Sequence, residues 1–181
     1  YVYGSNATLE NVTMTNVTNG LYIQNYAAKT ITLKNCNISS VAIWEREGYS
    51  GVQTFNFYGA NTVVSLENTE YAKYVLADVN ATLTAPAGAT VVTNAGDDYK
   101  VAYENGAYIV VAKDYVAEVN GVQYESLAAA IEAAAAGDTV TLLADVTEDV
   151  TVNKDLTIDG ANFKHTGNIS VKGKTVDVVV K

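Results

Sequence analysis

The side chains best suited to chemistry in this sequence are carboxylates. Asp97 and Asp98 form its only adjacent aspartate pair, and paired carboxylates can divide acid and base roles in hydrolysis. They follow Gly96 in a loop-like stretch with no histidine beside them. Asp145, Glu148, Asp149, Asp155 and Asp159 crowd one short segment. Oxygen ligands at that density suit Ca²⁺, but the fixed spacing of a calcium-binding loop is missing, and solvated acids are the competing reading. His165 is the only histidine and Cys36 the only cysteine. No histidine cluster for a metal or a nucleophile can therefore form, and an intrachain disulfide is excluded. Arg46, the only arginine, lies between Glu45 and Glu47 in what reads as a charged loop. Glycine-rich phosphate loops are absent. The expectation is no catalytic constellation, no cofactor, and Ca²⁺ only as an open alternative.

The chain has 181 residues and a formal net charge of −9, from 20 acidic and 11 basic side chains. Basic residues form no stripe, which argues against nucleic acid and against an anionic membrane surface. No apolar run reaches the length of a membrane span. Thirteen tyrosines invite a sugar-stacking reading, although packing within strands is a competing use. Trp44 and Tyr49, in a long loop, are the candidates for an exposed surface contact. Asn-x-Ser/Thr triplets at Asn6, Asn11, Asn16, Asn37, Asn80 and Asn168 could accept glycans in an exported protein; chance triplets in an Asn- and Thr-rich chain are the alternative.

The elements that must position such residues come from a repeat. Thr8-Leu9-Glu10-Asn11, Thr32-Leu33-Lys34-Asn35 and Ser65-Leu66-Glu67-Asn68 rhyme, with Leu-to-Leu offsets of 24 and 33 residues. Alternating apolar and polar residues fit a strand that buries every second side chain. Asparagine tolerates the left-handed turn region, so Asn11, Asn35 and Asn68 read as a structural ladder. Leu9, Leu33 and Leu66 read as the rung core. In this alignment Ile38 matches Tyr71, Val41 matches Tyr74, and Ile43 matches Leu76. An insertion falls near Asn19-Gly20 and a loop within residues 44–53. The competing topology is an antiparallel sandwich with Asn in ordinary turns.

These copies resemble the right-handed parallel β-helix of pectate-lyase-like proteins, in which an asparagine ladder marks one turn. That family includes polysaccharide-cleaving enzymes, but their Asn-Thr-Asp, Gly-His-Gly and Arg-Ile-Lys companions are absent. Fold alone does not fix function there.

Further on, Pro86 punctuates Ala85-Pro86-Ala87-Gly88. Asn105-Gly106 between two alternating runs predicts a hairpin, and residues 87–112 read as an antiparallel cap over exposed strand edges. Asn120-Gly121 predicts a second hairpin. Ser126 to Ala136 reads as a helix, with Ser126 as N-cap and Gly137 as stop. Strand pattern resumes after Asp138. Residues 115–160 run Val-Asn-Gly-Val, Tyr-Glu-Ser-Leu, an Ala-rich helix, Gly-Asp-Thr-Val-Thr-Leu-Leu, then Asp-Leu-Thr-Ile-Asp-Gly. This order resembles the opening of β-helix modules on bacterial surface proteins. The resemblance implies a helix capping a new β-helix, and an exported or wall-associated protein.

The expected fold is mainly β: a right-handed parallel β-helix in two blocks, with a hairpin cap and a short capping α-helix between them. The expected divisions are 1–86, 87–124 and 125–181. The chain opens at Tyr1 in strand-like sequence, which reads as a processed product, a fragment or a repeat unit of something longer. End strands Tyr1, Val2, Tyr3 and Val176, Val178, Val180 are candidate assembly edges. The expected function is an extracellular structural or adhesive protein, assembling head-to-tail with its own copies or joining neighbouring modules. Surface glycans are further partners, and a carbohydrate-binding or polysaccharide-degrading fragment is the alternative.

Overall fold

A computed structural model describes residues 2, 5–17, 20–67, 69–173 and 178–180. The chain divides into two units, Tyr1–Ala112 and Lys113–Lys181. It is mainly β, with 51% strand and 6% helix, and forms a parallel-stranded β-solenoid.

In the first unit, β1 (Ala7–Glu10), β2 (Thr13–Met14) and β3 (Leu21–Gln24) make the first turn. Next come β4 (Thr30–Lys34) with β5 (Asn37–Trp44), and β6 (Gln53–Tyr58) with β7 (Ala60–Glu67). β8 (Ala72–Leu76), β9 (Thr82–Thr84) and β10 (Val91–Thr93) continue the coil. Parallel pairing orders one sheet β1-β4-β6-β8-β10 and puts β2, β5, β7 and β9 side by side in another. Parallel neighbours exclude the antiparallel sandwich.

Alternation explains the strands. In β4, Ile31 and Leu33 point inward and are fully buried, while Thr30, Thr32 and Lys34 alternate with them and are only partly buried. Ile31, Phe55, Tyr74 and Val91 form one column; Leu9, Leu33, Phe57 and Leu76 form the next. Each buried aromatic of this kind removes enough apolar surface to contribute about 1.5–3 kcal/mol. Pairing is offset by 24 residues at Met14–Ile38 but by 20 at Leu21–Val41. The expected insertion therefore lies between Met14 and Leu21, where Gly20 N–H donates to Ser40 Oγ.

The third copy of the rhyme departs from the alignment. Phe57, not Leu66, stands on Leu33. Leu66 pairs with Val41 in the other sheet, Ile38 with Val63, and Tyr74 with Phe55. Both sheets alternate and then turn at a polar residue, so a local rhyme cannot distinguish them.

The hairpin β11 (Tyr99–Glu104) and β12 (Ala107–Ala112) turns at Asn105 and Gly106, both with positive φ. β12 runs antiparallel to β9, closing that sheet's edge as the Asn-Gly signal predicts. β10, by contrast, continues the parallel sheet on β8, so the antiparallel closure begins later than residue 87.

The second unit opens with β13 (Ala117–Val119) and β14 (Val122–Tyr124), joined by Asn120-Gly121, also at positive φ. Helix α1 (Leu127–Ala133) follows, its Ser126 Oγ accepting from Ala129 N–H at 3.1 Å. Leu127, Ala130 and Ile131 are buried, and the helix packs on β13 and β14. It ends three residues earlier than the expected Ala136. Ala134 is already extended, the Asp138 carboxylate accepts the Ala135 N–H, and Lys154 Nζ donates to the Glu132 and Ala134 carbonyls. These side chains satisfy the groups that another turn would have used.

Two coils follow: β15 (Thr139–Leu142), β16 (Val146–Thr147) and β17 (Val150–Val152), then β18 (Leu156–Asp159), β19 (His165–Thr166) and β20 (Ile169–Val171). β21 (Val178–Val180) comes last. Each strand of the first coil pairs in parallel with its counterpart in the second, and β21 pairs with β18.

Candidate functional site

The side chains left exposed in chemically useful company sit at one corner of the first unit. Residues 25–29 join β3 to β4 there, and residues 45–52 join β5 to β6 one turn later. Asn25, fully buried, ties the two loops together. Its N–H donates to Trp44 O (3.2 Å), its Nδ2 to Tyr49 O (2.8 Å), and its Oδ1 accepts from Arg46 N–H (2.8 Å). Its own carbonyl accepts from Gly51 N–H at 3.0 Å. All four polar groups of this residue are thus bonded, three to the longer loop and one to Trp44 at the end of β5, which is what allows an amide to be buried. Gly51 permits the close approach: a Cβ there would lie 2.6 Å from Ala27 C and 2.8 Å from Asn25 O.

Beneath the loops, Lys29 and Gln53 occupy equivalent positions just before β4 and at the start of β6. Lys29 Nζ donates to the Gln24 and Ala27 carbonyls at 2.8 and 3.0 Å, and burial lowers its pKa. Gln53 Nε2 donates to Ala27 O and Gly51 O. The corner is therefore a clamp of side-chain donors on main-chain carbonyls.

The clamp presents aromatic rings. Tyr26 and Tyr49 lie 4.6 Å apart between centroids, and the Arg46 guanidinium sits 5.8 and 5.1 Å from them, within cation–π range. Tyr22 and Trp44 stack at 6.3 Å with 15° between planes. Trp44, Tyr26 and Tyr49 keep 46%, 43% and 38% exposure. Tyr71 donates from its hydroxyl to Glu45 Oε1 at 2.8 Å, and that bond to a carboxylate raises the phenol pKa.

Trp44 and Tyr49 are thus brought to one corner. Tyr22, Tyr26 and Asn25 join them from the preceding turn, which no sequence pattern linked to the loop. Leu9 and Leu33 share a column; Leu66 does not. Asn11 and Asn35 hold left-handed turns, φ 56° and 51°. Asn68 lies outside the described residues, and the turn stacked on Asn35 belongs to Gly59, φ 63°. Asn35 Oδ1 accepts from Ala60 N–H. Next to that turn, buried Asn61 accepts from Cys36 N–H and donates to the Tyr58 and Gly59 carbonyls. Cys36 is a buried core residue, in register with Val12 and Asn61.

Of the candidate edges, Tyr1, Tyr3 and Val176 lie outside the described residues. Val2 bridges Ile23, and the backbones of Val178 and Val180 pair with Leu156 and Ile158.

Four of the five clustered carboxylates of the second unit are turned to backbone N–H groups. Asp145 accepts from Lys164 N–H, Glu148 from Ala128 N–H, Asp149 from Asn168 N–H, and Asp159 from Ala161 N–H. The Asn168 N–H and side-chain amide lower the Asp149 pKa, as does the neighbouring His165. His165 lies half-buried in β19, its Nε2 at 2.9 Å from Glu148 O. Among the described residues no group of three or more His, Cys, Asp or Glu is placed to hold a metal ion. No protein-family model, curated protein or solved structure matches the chain.

Proposed function

We propose that this chain is a structural and adhesive β-solenoid displayed outside the cell, of the kind found as modules on bacterial surface proteins. The observation that carries the reading is the aromatic–arginine cluster on residues 22–49. What sets this corner apart from singly exposed rings such as Phe163 is that three exposed rings, Tyr26, Trp44 and Tyr49, gather with Arg46 around one clamped loop. Such surface patches mark interaction sites. The order of motifs over residues 115–160 supports export. Non-catalytic use is supported by the carboxylates, several of which spend their oxygens on backbone N–H groups. Beads coated with the chain should adhere to glycan-bearing or matrix-protein surfaces above the level of albumin-coated beads; adhesion no greater than that rejects the reading.

Head-to-tail assembly is a second reading, favoured by the first turn. Leu9, Val12 and Met14 face inward yet remain half-exposed, whereas Leu33, Cys36 and Ile38 one turn on are buried. A strand of a second copy, such as β21, would cover them, as unpaired edges favour. Mass photometry over a rising concentration series should show a ladder of oligomers, and a monomer throughout excludes it.

A further inference from the structure

We infer that the corner of residues 22–49 is a binding site for a neutral, hydroxyl-rich polysaccharide chain. The inference rests on the adhesive reading above and names the ligand of that surface.

Three features point to this chemistry. The first is shape. The rings of Tyr22 and Trp44 are nearly parallel, at 15°. Trp44, Tyr26 and Tyr49 are exposed on loop and strand end rather than lining an enclosed cavity. An open aromatic surface suits one face of an extended chain of pyranose rings, whose axial C–H groups form an apolar face. The second is the rim. Glu45 and Arg46, consecutive at the start of the loop, offer an acceptor and a donor to hydroxyls at the sugar edge. Glu45 is held by Tyr71, and Arg46 by the two tyrosine rings and by Asn25. The third is charge. Carboxylates flank the single guanidinium, and the chain carries a net charge of −9. Acidic polysaccharides are therefore repelled while neutral ones are not. Tyr, Trp and Arg are also enriched at protein interfaces, where Glu is depleted, so a protein occupant is an outcome that the test distinguishes.

Preorganisation is what makes so small a surface useful. Asn25 bonds the main chain of Trp44, Arg46 and Tyr49, so the loop gives up little conformational freedom when a ligand arrives.

The test uses the only tryptophan, Trp44, as its own reporter. The full chain is titrated with soluble neutral oligosaccharides (gluco-, xylo-, manno- and N-acetylglucosamine series) and followed by tryptophan emission. Retention on the matching insoluble polymers is measured in parallel. At least one series should shift emission saturably and retain the chain. Tyr49→Ala should weaken binding by about fivefold or more, and Trp44→Ala should reduce retention comparably. Phe163→Ala, an exposed aromatic in the other unit, should leave both readings unchanged. Circular dichroism confirms that each variant is folded. The inference is overturned if no series shifts emission or retains the chain, if Tyr49→Ala and Trp44→Ala bind like the parent, or if polygalacturonate or heparin binds more tightly than every neutral series. Beads that still adhere to matrix protein in any of those cases leave the adhesive reading standing; beads that adhere to nothing end both.

Discussion

Gly59 is where the stacking register can be put to a quantitative test. Its φ is +63°, and a Cβ added there would collide with Oδ1 of Asn35, one turn below. Gly59→Ala therefore incurs two costs. An L-residue in the left-handed region costs about 1–2 kcal/mol. Displacing the Asn35 amide breaks its bond to Ala60 N–H, which is worth about 1 kcal/mol. The sum is roughly 2–3 kcal/mol, a shift of about 1 M or more in urea midpoint for a domain with an ordinary denaturant slope. Urea unfolding followed by Trp44 emission reads this unit alone, since no other tryptophan is present. The decisive comparison is a double-mutant cycle with Asn35→Ala. The three atoms nearest the new methyl group all belong to that amide, so once it is gone Gly59→Ala should cost little beyond its backbone term. A coupling of about 1 kcal/mol is expected. Additive losses, or a Gly59→Ala midpoint equal to the parent's, would show that Gly59 does not stand on Asn35.

Tyr74 is 1% exposed, packs against Phe55 and Phe57, and has a buried hydroxyl with no hydrogen-bond partner among the described residues; Tyr74→Phe should therefore raise stability by about 1 kcal/mol in the same unfolding assay. Asn25→Ala strands Arg46 N–H and Tyr49 O, costing about 2 kcal/mol, and hydrogen exchange at the Arg46 amide should accelerate; unchanged exchange there would mean the loop is held by something else. Asp149 has its pKa lowered from 3.8, so its contribution is complete above that pH and is lost as pH falls through the depressed folded value. Asp149→Ala should consequently destabilise the second unit at neutral pH but converge with the parent in acid, which thermal melts between pH 7 and pH 2 would record.

What could be read from the sequence was whatever is decided locally. The alternation around Leu33 identifies a strand, Asn105-Gly106 and Asn120-Gly121 identify hairpins, and Ser126 identifies the helix start, because each depends on neighbours a few residues away. Register depends on residues a whole turn apart. Phe57-Tyr58-Gly59 bears little likeness to Leu33-Lys34-Asn35, yet it fills the same column and makes the same left-handed turn. Ser65-Leu66-Glu67-Asn68 looks alike and belongs to the other sheet. The helix end was illegible for a related reason: an alanine run carries no stop of its own, and Asp138 and Lys154 supply it from outside. Trp44, the single tryptophan, and Tyr49 stood out beside a charged stretch that reads as a long loop, although Trp44 proves to be the last residue of β5. Their companions Tyr22 and Tyr26, and the clamp residue Asn25, come from the preceding turn, where each looks like an ordinary strand or turn residue until the coil is closed.

Adhesion by the aromatic corner is tested most directly by one comparison. Beads coated at equal density with the parent chain and with the Trp44→Ala/Tyr49→Ala double variant are counted on the same glycan or matrix surface after identical washing. The parent should be retained and the variant should fall to the albumin level while keeping its β-sheet circular dichroism. Equal retention of the two would place adhesion elsewhere on the molecule and contradict the account.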